Sequence, residues 1–466
     1  EIQKFKALLI DRPEDLLGLK DQMDFFQPYT IFYNHQFQQE TYPEEVKELL
    51  RLKQVRSWDF SDKAHFLYQV TRFLYDGQYG DAFTAYDIRI RPDFSGSQTV
   101  LGKHLLQLTG SFGKDFTPLA QWIYNYVYDG TTPVNIWLEY EKEPSCQLQL
   151  RIQFFQSGAI GDLVKEIIYS EDDLKEPILL DEFERYYLAF CLEAKGEGEL
   201  KIGALHKRYS HGPFGEMTVG AQTLRDSKRQ EIFAYFHPGD MKPPLNIYFS
   251  GYRPAEGFEG FVMMRRMGSP FILFSDPRLE GGSFYMGSQE LEDQIVAYID
   301  QYLDWLGFGP KEMNFSGLSM GTFGALYYGS SYSPHAILVG KPIVNLGDVA
   351  ANLKFKRPDE FGTSLDMMQL LVGQVSREGI DLLNQRFWDR FNQADLKDTI
   401  LAMAYMRDDD YDQLAYPKIL EALYDHPVRI ISSSRPGRHN DASAPIVEWF
   451  LTQYKEIMER DFGRIE

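Results

Sequence analysis

The stretch Asn314-Phe-Ser-Gly-Leu-Ser-Met-Gly-Thr-Phe-Gly-Ala-Leu326 decides how the carboxyl-terminal half of this chain folds. Within it, Gly317-Leu318-Ser319-Met320-Gly321 is a complete G-x-S-x-G. A short apolar run ends at Phe315 before the motif, and residues 322–328 read as a helix after it. Strand, sharp turn and helix form the setting in which this pattern is a nucleophile elbow and not a chance turn. The turn pushes the serine into a strained backbone conformation. Gly317 and Gly321 lack the Cβ atoms that would clash where strand and helix come close. Ser319 Oγ is then exposed at the carboxyl end of the strand, and the N–H of Met320 faces the place where an oxyanion forms.

Outward from the elbow, short continuous apolar runs alternate with helical patterns. Residues 245–249 end in Ser250-Gly251-Tyr252, and residues 270–274 end in Ser275-Asp276-Pro277. Runs at 335–339, 399–405 and 427–431 follow the elbow. Residues 291–306 carry Ile295, Tyr298, Ile299 and Tyr302 along one helical face, and 445–458 form a closing amphipathic helix. Buried parallel strands alternating with helices predict a doubly wound, α/β-hydrolase-like sheet over residues 230–466. The insertion at 352–391, between the sixth and seventh strands, is expected as a helical cap over the active site.

An elbow serine needs a base and an acid, which in this fold follow it in the order acid, histidine at later strand ends. The last strand runs into Ser432-Ser-Ser-Arg-Pro-Gly-Arg-His439-Asn-Asp441. Of nine histidines, only His439 lies between the last strand and the last helix, which makes it the expected general base. The strand ending at Tyr405 runs into Asp408, Asp409, Asp410 and Asp412. Asp409 is the expected acid, a few residues past the strand end, with Asp408 and Asp410 as alternatives. A solvated acidic turn or a cation site is the competing reading of this cluster, but no second acidic group nearby in sequence supports a metal. The second oxyanion donor belongs to the loop after residues 245–249, where the N–H of Gly251 or Tyr252 is the candidate beside Met320.

The first half has a different texture. Residues 1–84 alternate strand-like and helical runs and predict a small α/β unit with no glycine-rich phosphate loop. Residues 85–229 carry period-two runs at 86–91, 134–140, 147–155, 167–169, 186–193 and 200–206, separated by Gly, Pro, Ser and Asp clusters. That pattern predicts an antiparallel β-sandwich. Gly203-Ala-Leu-His-Lys-Arg-Tyr-Ser-His-Gly212 reads as a sugar-contacting rim or as a solvated strand end.

At 466 residues, two or three domains are expected. A formal net charge of −20 argues against a nucleic-acid partner and against simple adhesion to an anionic membrane. Two cysteines, Cys146 and Cys191, are no disulfide framework and imply a reducing compartment. No signal peptide is read, and no apolar run approaches the ~18 residues of a transmembrane span.

Five stretches together resemble one family: Asn246-Ile-Tyr-Phe-Ser-Gly-Tyr252, the elbow from Phe315 to Gly324, Asn352-Leu-Lys-Phe-Lys-Arg-Pro-Asp-Glu-Phe-Gly362, Met406-Arg-Asp-Asp-Asp-Tyr-Asp412 and Gly437-Arg-His-Asn440. They look like the second of the accessory Sec system proteins, found in Gram-positive cocci that export serine-rich-repeat adhesins. The resemblance takes in residues 200–215 and covers most of the chain. It implies a hydrolase-like triad in which Ser319 and His439 match the family's serine and histidine, and Asp409 best matches its acid. It also implies O-acetylation of N-acetylglucosamine on the adhesin, with an acetyl donor but no bound cofactor or metal. The implied partners are the other two accessory Sec proteins, the dedicated motor ATPase and channel, and the serine-rich-repeat glycoprotein. The implied location is cytoplasmic, peripheral to the membrane translocon.

Overall fold

The structure is a computed structural model that describes residues 6–158, 161–279, 281–356 and 364–464. The chain divides into two compact units, Glu1–Asp76 with Phe214–Leu224 and Glu231–Glu466, and Gly77–Pro213 with Arg225–Gln230.

The first unit is built on an eight-stranded sheet. From edge to edge it runs Gln222–Arg225, Glu231–His237, Phe271–Ser275, Leu245–Phe249, Met313–Leu318, Ala336–Gly340, Ile400–Met406 and Arg429–Arg435. Glu231–His237 pairs antiparallel with Phe271–Ser275, and every later pair is parallel. The strands are short and apolar because helices cover both faces. Ile247, Phe249, Phe315, Ile337 and Val339 share a core with the helices Gln289–Leu306 and Gly321–Gly329. Their sequence neighbours Tyr248, Ala336 and Leu338 point the other way, into a core with Ser443–Phe462. The alternation follows from the period of two along a strand. Each fully buried Leu, Ile or Phe in these layers contributes roughly 1.5–3 kcal/mol.

Helix ends are set locally. Ser288 Oγ accepts the N–H of Leu291 at 3.2 Å and caps Gln289–Leu306, which stops at Gly307 with φ +74°. In the expected cap region the helices are Leu346–Lys356, Ser364–Val372 and Arg377–Phe391. Residues 357–363, part of that cap and of the family-like stretch, lie outside the described residues. Phe387 stacks on Phe391 and meets the Phe323 ring at a tilt, with centroids 5.4 Å apart, so Arg377–Phe391 packs against the elbow helix.

Residues before 77 do not stand apart as the expected unit. Their three-stranded parallel sheet, Leu8–Ile10, Ile31–Asn34 and Arg56–Trp58, encloses only a small core. Tyr29, held at φ +68°, buries its ring with Phe233 and Tyr235 and donates its hydroxyl to Phe236 O at 2.7 Å. Arg51 lies over Trp305, 4.2 Å from the ring centroid. The segment is stabilised by the eight-stranded sheet because it is too small to bury enough apolar surface alone.

The second unit is an antiparallel ten-stranded sheet. It is continuous where the sequence predicts two sheets. Tyr186–Tyr209 is a single strand of 24 residues that pairs with Cys146–Gln156 along its first half and Val134–Lys142 along its second. Gly196 and Gly198, which look like a turn in sequence, sit within it at φ +92° and +131°. A Cβ on Gly196 would lie 2.1 Å from Ser145 O, so the glycines permit a bulge and close approach where the register shifts. His206, Lys207 and His211 are buried, which corrects the reading of 203–212 as an open rim or solvated end. His206 meets Glu139 at 3.2 Å and Lys207 meets Asp81 at 2.6 Å. Among the described residues, no helix is long and apolar enough to cross a membrane.

Candidate active site

Ser319 occupies the turn between Met313–Leu318 and Gly321–Gly329 with φ +52°, a left-handed conformation costly for a residue with a Cβ. The surrounding packing enforces it. A Cβ on Gly317 would lie 2.2 Å from Gly321 O, and one on Gly321 would lie 2.0 Å from Phe249 O. The Ser319 N–H donates to Gly340 O at 2.8 Å, and Thr322 Oγ1 donates to Ser319 O at 2.6 Å.

His439 follows Arg429–Arg435 and is 1% exposed. Its Nε2 lies 2.8 Å from Ser319 Oγ, and its Nδ1 lies 2.8 Å from Asp409 Oδ2. A carboxylate only accepts, so Nδ1 carries the ring proton and the Nε2 lone pair faces the serine hydroxyl. Asp409 Oδ1 accepts the N–H groups of Tyr411 at 2.8 Å and Asp412 at 3.2 Å, which orients the carboxyl group. The Tyr411 ring packs on the imidazole with centroids 4.3 Å apart.

The other aspartates of the cluster have different partners. Asp408 Oδ2 accepts from the N–H of Gly437. Asp410 accepts the His439 N–H at 3.0 Å and an Arg438 N–H at 3.0 Å, so it holds the histidine's backbone while Asp409 meets the ring. Asp412 is buried and accepts from Val344 N, Asn345 N and Asn345 Nδ2, tying the acid loop to the segment after Ala336–Gly340. Burial pushes its carboxyl pKa up. Among the described residues, no group of three or more His, Cys, Asp or Glu could hold a metal ion.

One expectation is corrected. The Gly251 N–H donates to Glu259 Oε2 at 2.7 Å and is therefore not available to a substrate oxygen. Glycine is still required there, since a Cβ would lie 3.0 Å from Leu318 O. Met320 heads the elbow helix, 4% exposed, and Tyr252 is exposed.

A family model, that of the accessory Sec system GspB-transporter, matches residues 1–464. The chain belongs to the accessory Sec system GspB-transporter family. The accessory Sec system protein of this family from Streptococcus gordonii is 43% identical over 467 residues, covering 100% of this chain and 91% of its own. The corresponding protein of Staphylococcus aureus is 45% identical over 394 residues, covering 84% of this chain and 75% of its own. A chain in the glycosylation associate protein complex of Streptococcus agalactiae is 38% identical, with a TM-score of 0.94 over 100% of this chain and 89% of that one.

In this accessory Sec family member, two charged residues of the loops next to the elbow carry no motif in the sequence. Glu259 sits between Phe258 and Gly260 with no motif around it. Lys341 directly follows Gly340 at φ +61°, and its Nζ donates to Ser443 Oγ at 3.0 Å. Burial pulls the Lys341 pKa down, against the attraction of Asp409 and Glu259. Its position immediately after the strand beside the elbow was the available signal.

Proposed function

We propose that this accessory Sec protein is a serine-nucleophile O-acetyltransferase that acetylates N-acetylglucosamine on a serine-rich-repeat adhesin and supports the adhesin's export. The observation that carries the chemistry is the unbroken relay from Ser319 Oγ through His439 to Asp409, each link 2.8 Å long. As Ser319 Oγ attacks the donor's carbonyl carbon, its proton passes to His439 Nε2. Asp409 stabilises the imidazolium that results. The N–H of Met320 stabilises the tetrahedral oxyanion. Collapse breaks the bond to the leaving group, which takes the proton from Nε2 and departs, leaving acetyl-Ser319. A sugar hydroxyl then attacks this ester, giving its proton to His439 Nε2; collapse breaks the bond to Ser319 Oγ, which takes that proton back, and the O-acetylated sugar leaves. Water in place of the sugar makes the same machinery an esterase.

The sugar acceptor and the export role come from the family resemblance. The membership of a relative in a glycosylation-associated complex supports partnership with the other two accessory Sec proteins. The motor ATPase, the channel and a cytoplasmic place beside the translocon belong to the same reading. A fluorophosphonate probe should label Ser319 in the wild type and not in Ser319→Ala. Mass spectrometry of adhesin exported by wild-type and Ser319→Ala cells should show acetyl groups only in the wild type. Equal acetylation in both would overturn the proposal.

A further inference from the structure

We infer that Glu259 is a positioning residue that clamps the oxyanion loop and leaves the N–H of Tyr252, with that of Met320, to receive the developing oxyanion. The inference rests on the acyl-transfer reading above and specifies which groups complete its oxyanion hole.

The loop concerned, residues 250–260, joins Leu245–Phe249 to the helix Phe261–Arg266. It lies against the elbow: a Cβ on Gly321 would meet Phe249 O at 2.0 Å and Ser250 O at 3.1 Å. Two reciprocal bonds close it. The Gly251 N–H donates to Glu259 Oε2 at 2.7 Å, and the Glu259 N–H donates to Ser250 Oγ at 3.0 Å. Further contacts fix the two sides. The Tyr248 hydroxyl donates to the same Oε2 at 3.2 Å, and the Tyr285 hydroxyl donates to Ser250 O at 2.6 Å. Gly260, at φ +82°, lets the backbone lie on the Tyr248 ring, where a Cβ would come within 2.7 Å.

A carboxylate already bound at 2.7 Å removes Gly251 from the oxyanion hole. The next backbone donor is Tyr252, whose N–H has no acceptor among the described residues. A charge-assisted bond from Glu259 is a strong way to hold the adjoining peptide still. Oxyanion donors work only when held in place before the reaction. A negative charge beside a developing oxyanion is unfavourable, and the Lys341 ammonium, attracted to both Glu259 and Asp409, offsets it.

The test uses the full chain with p-nitrophenyl acetate as the probe ester. Glu259→Ala should lower kcat by about tenfold to a hundredfold with little change in KM, because an oxyanion donor acts in the transition state. Glu259→Gln, whose amide oxygen can still accept the Gly251 N–H, should recover most of that loss. Tyr252→Pro, which deletes the donor itself, should lose at least as much as Glu259→Ala. Circular dichroism melts check folding; if Glu259→Ala does not fold, Glu259→Asp replaces it and should lose rate in the same sense. Wild-type or faster turnover in the folded Ala or Asp variant overturns the inference, as does failure of Gln to recover activity. A wild-type protein with no Ser319-dependent labelling or turnover overturns the acyl-transfer reading, and this inference with it. Wild-type labelling alongside an active Tyr252→Pro variant overturns this inference alone.

Discussion

Replacing Asp409 with asparagine alters the relay without removing an atom's worth of volume. Asp409 Oδ1 accepts from two backbone N–H groups, those of Tyr411 and Asp412. In the variant the amide oxygen must stay there, since an NH₂ would face two donors. The NH₂ therefore takes the place of Oδ2, 2.8 Å from His439 Nδ1. It donates, so Nδ1 must accept and the ring proton moves to Nε2. Nε2–H then points at Ser319 Oγ across 2.8 Å and can no longer take its proton. In a serine triad this wrong tautomer costs about 10⁴-fold in kcat. At about 1.36 kcal/mol per tenfold, the barrier rises by roughly 5 kcal/mol. Both bonds to Oδ1 survive, so the melting temperature should stay within a few degrees of wild type. The assay is the rate of Ser319 labelling by a fluorophosphonate and of p-nitrophenyl acetate hydrolysis, each against a melt. Asp410→Asn is the internal control: Asp410 touches the His439 backbone and Arg438, not the ring, and should cost less than about tenfold. An Asp409→Asn enzyme within about tenfold of wild type, in a protein whose Ser319→Ala variant is dead, would refute the relay.

Other outcomes follow from the same geometry. Ser319→Ala should abolish probe labelling while leaving the melt close to wild type, because its fold-setting bonds to Gly340 and Thr322 use the backbone. Gly321→Ala should fail to fold or lose more than about 3 kcal/mol by urea titration, because its Cβ would meet the rigid backbone oxygen of Phe249 at 2.0 Å. His237 stacks on Phe271, accepts the Gly239 N–H, and is held by burial at a pKa of about 3, below the ordinary 6.5. The unfolded chain binds its proton below about pH 6.5 and the folded chain does not, so this contribution is full above that pH and is lost as pH falls toward 3. His237→Asn, which keeps an acceptor for Gly239, should flatten the fall of the urea midpoint between pH 6.5 and 4; an unchanged slope would exclude the residue.

What the sequence determined by itself was whatever depends on neighbours along the chain. Gly317-x-Ser319-x-Gly321 announced the elbow because both glycines answer to steric contacts within one turn. The apolar runs announced the parallel sheet because burial on both faces removes the alternation. Ser319 and His439 could be expected from order along the chain, since the fold places each at a strand end, and the same order narrowed the acid to the aspartates of residues 408–412. Contacts distant in sequence were another matter. Four aspartates in five residues have nearly the same composition around them, and only the approach of His439 to 2.8 Å distinguishes Asp409. Nothing around Gly251 foretold that a carboxylate eight residues later would take its N–H. The 24-residue strand through Gly196 and Gly198 read as two strands, because the positive φ that breaks a hairpin also permits a bulge. Residues before 77 read as a unit of their own, yet Tyr29 closes its core on Phe233 and Tyr235, some two hundred residues away. Local sterics and periodicity are written residue by residue, whereas the partner of a buried polar group or an exposed ring is settled only when the folded chain brings the two together.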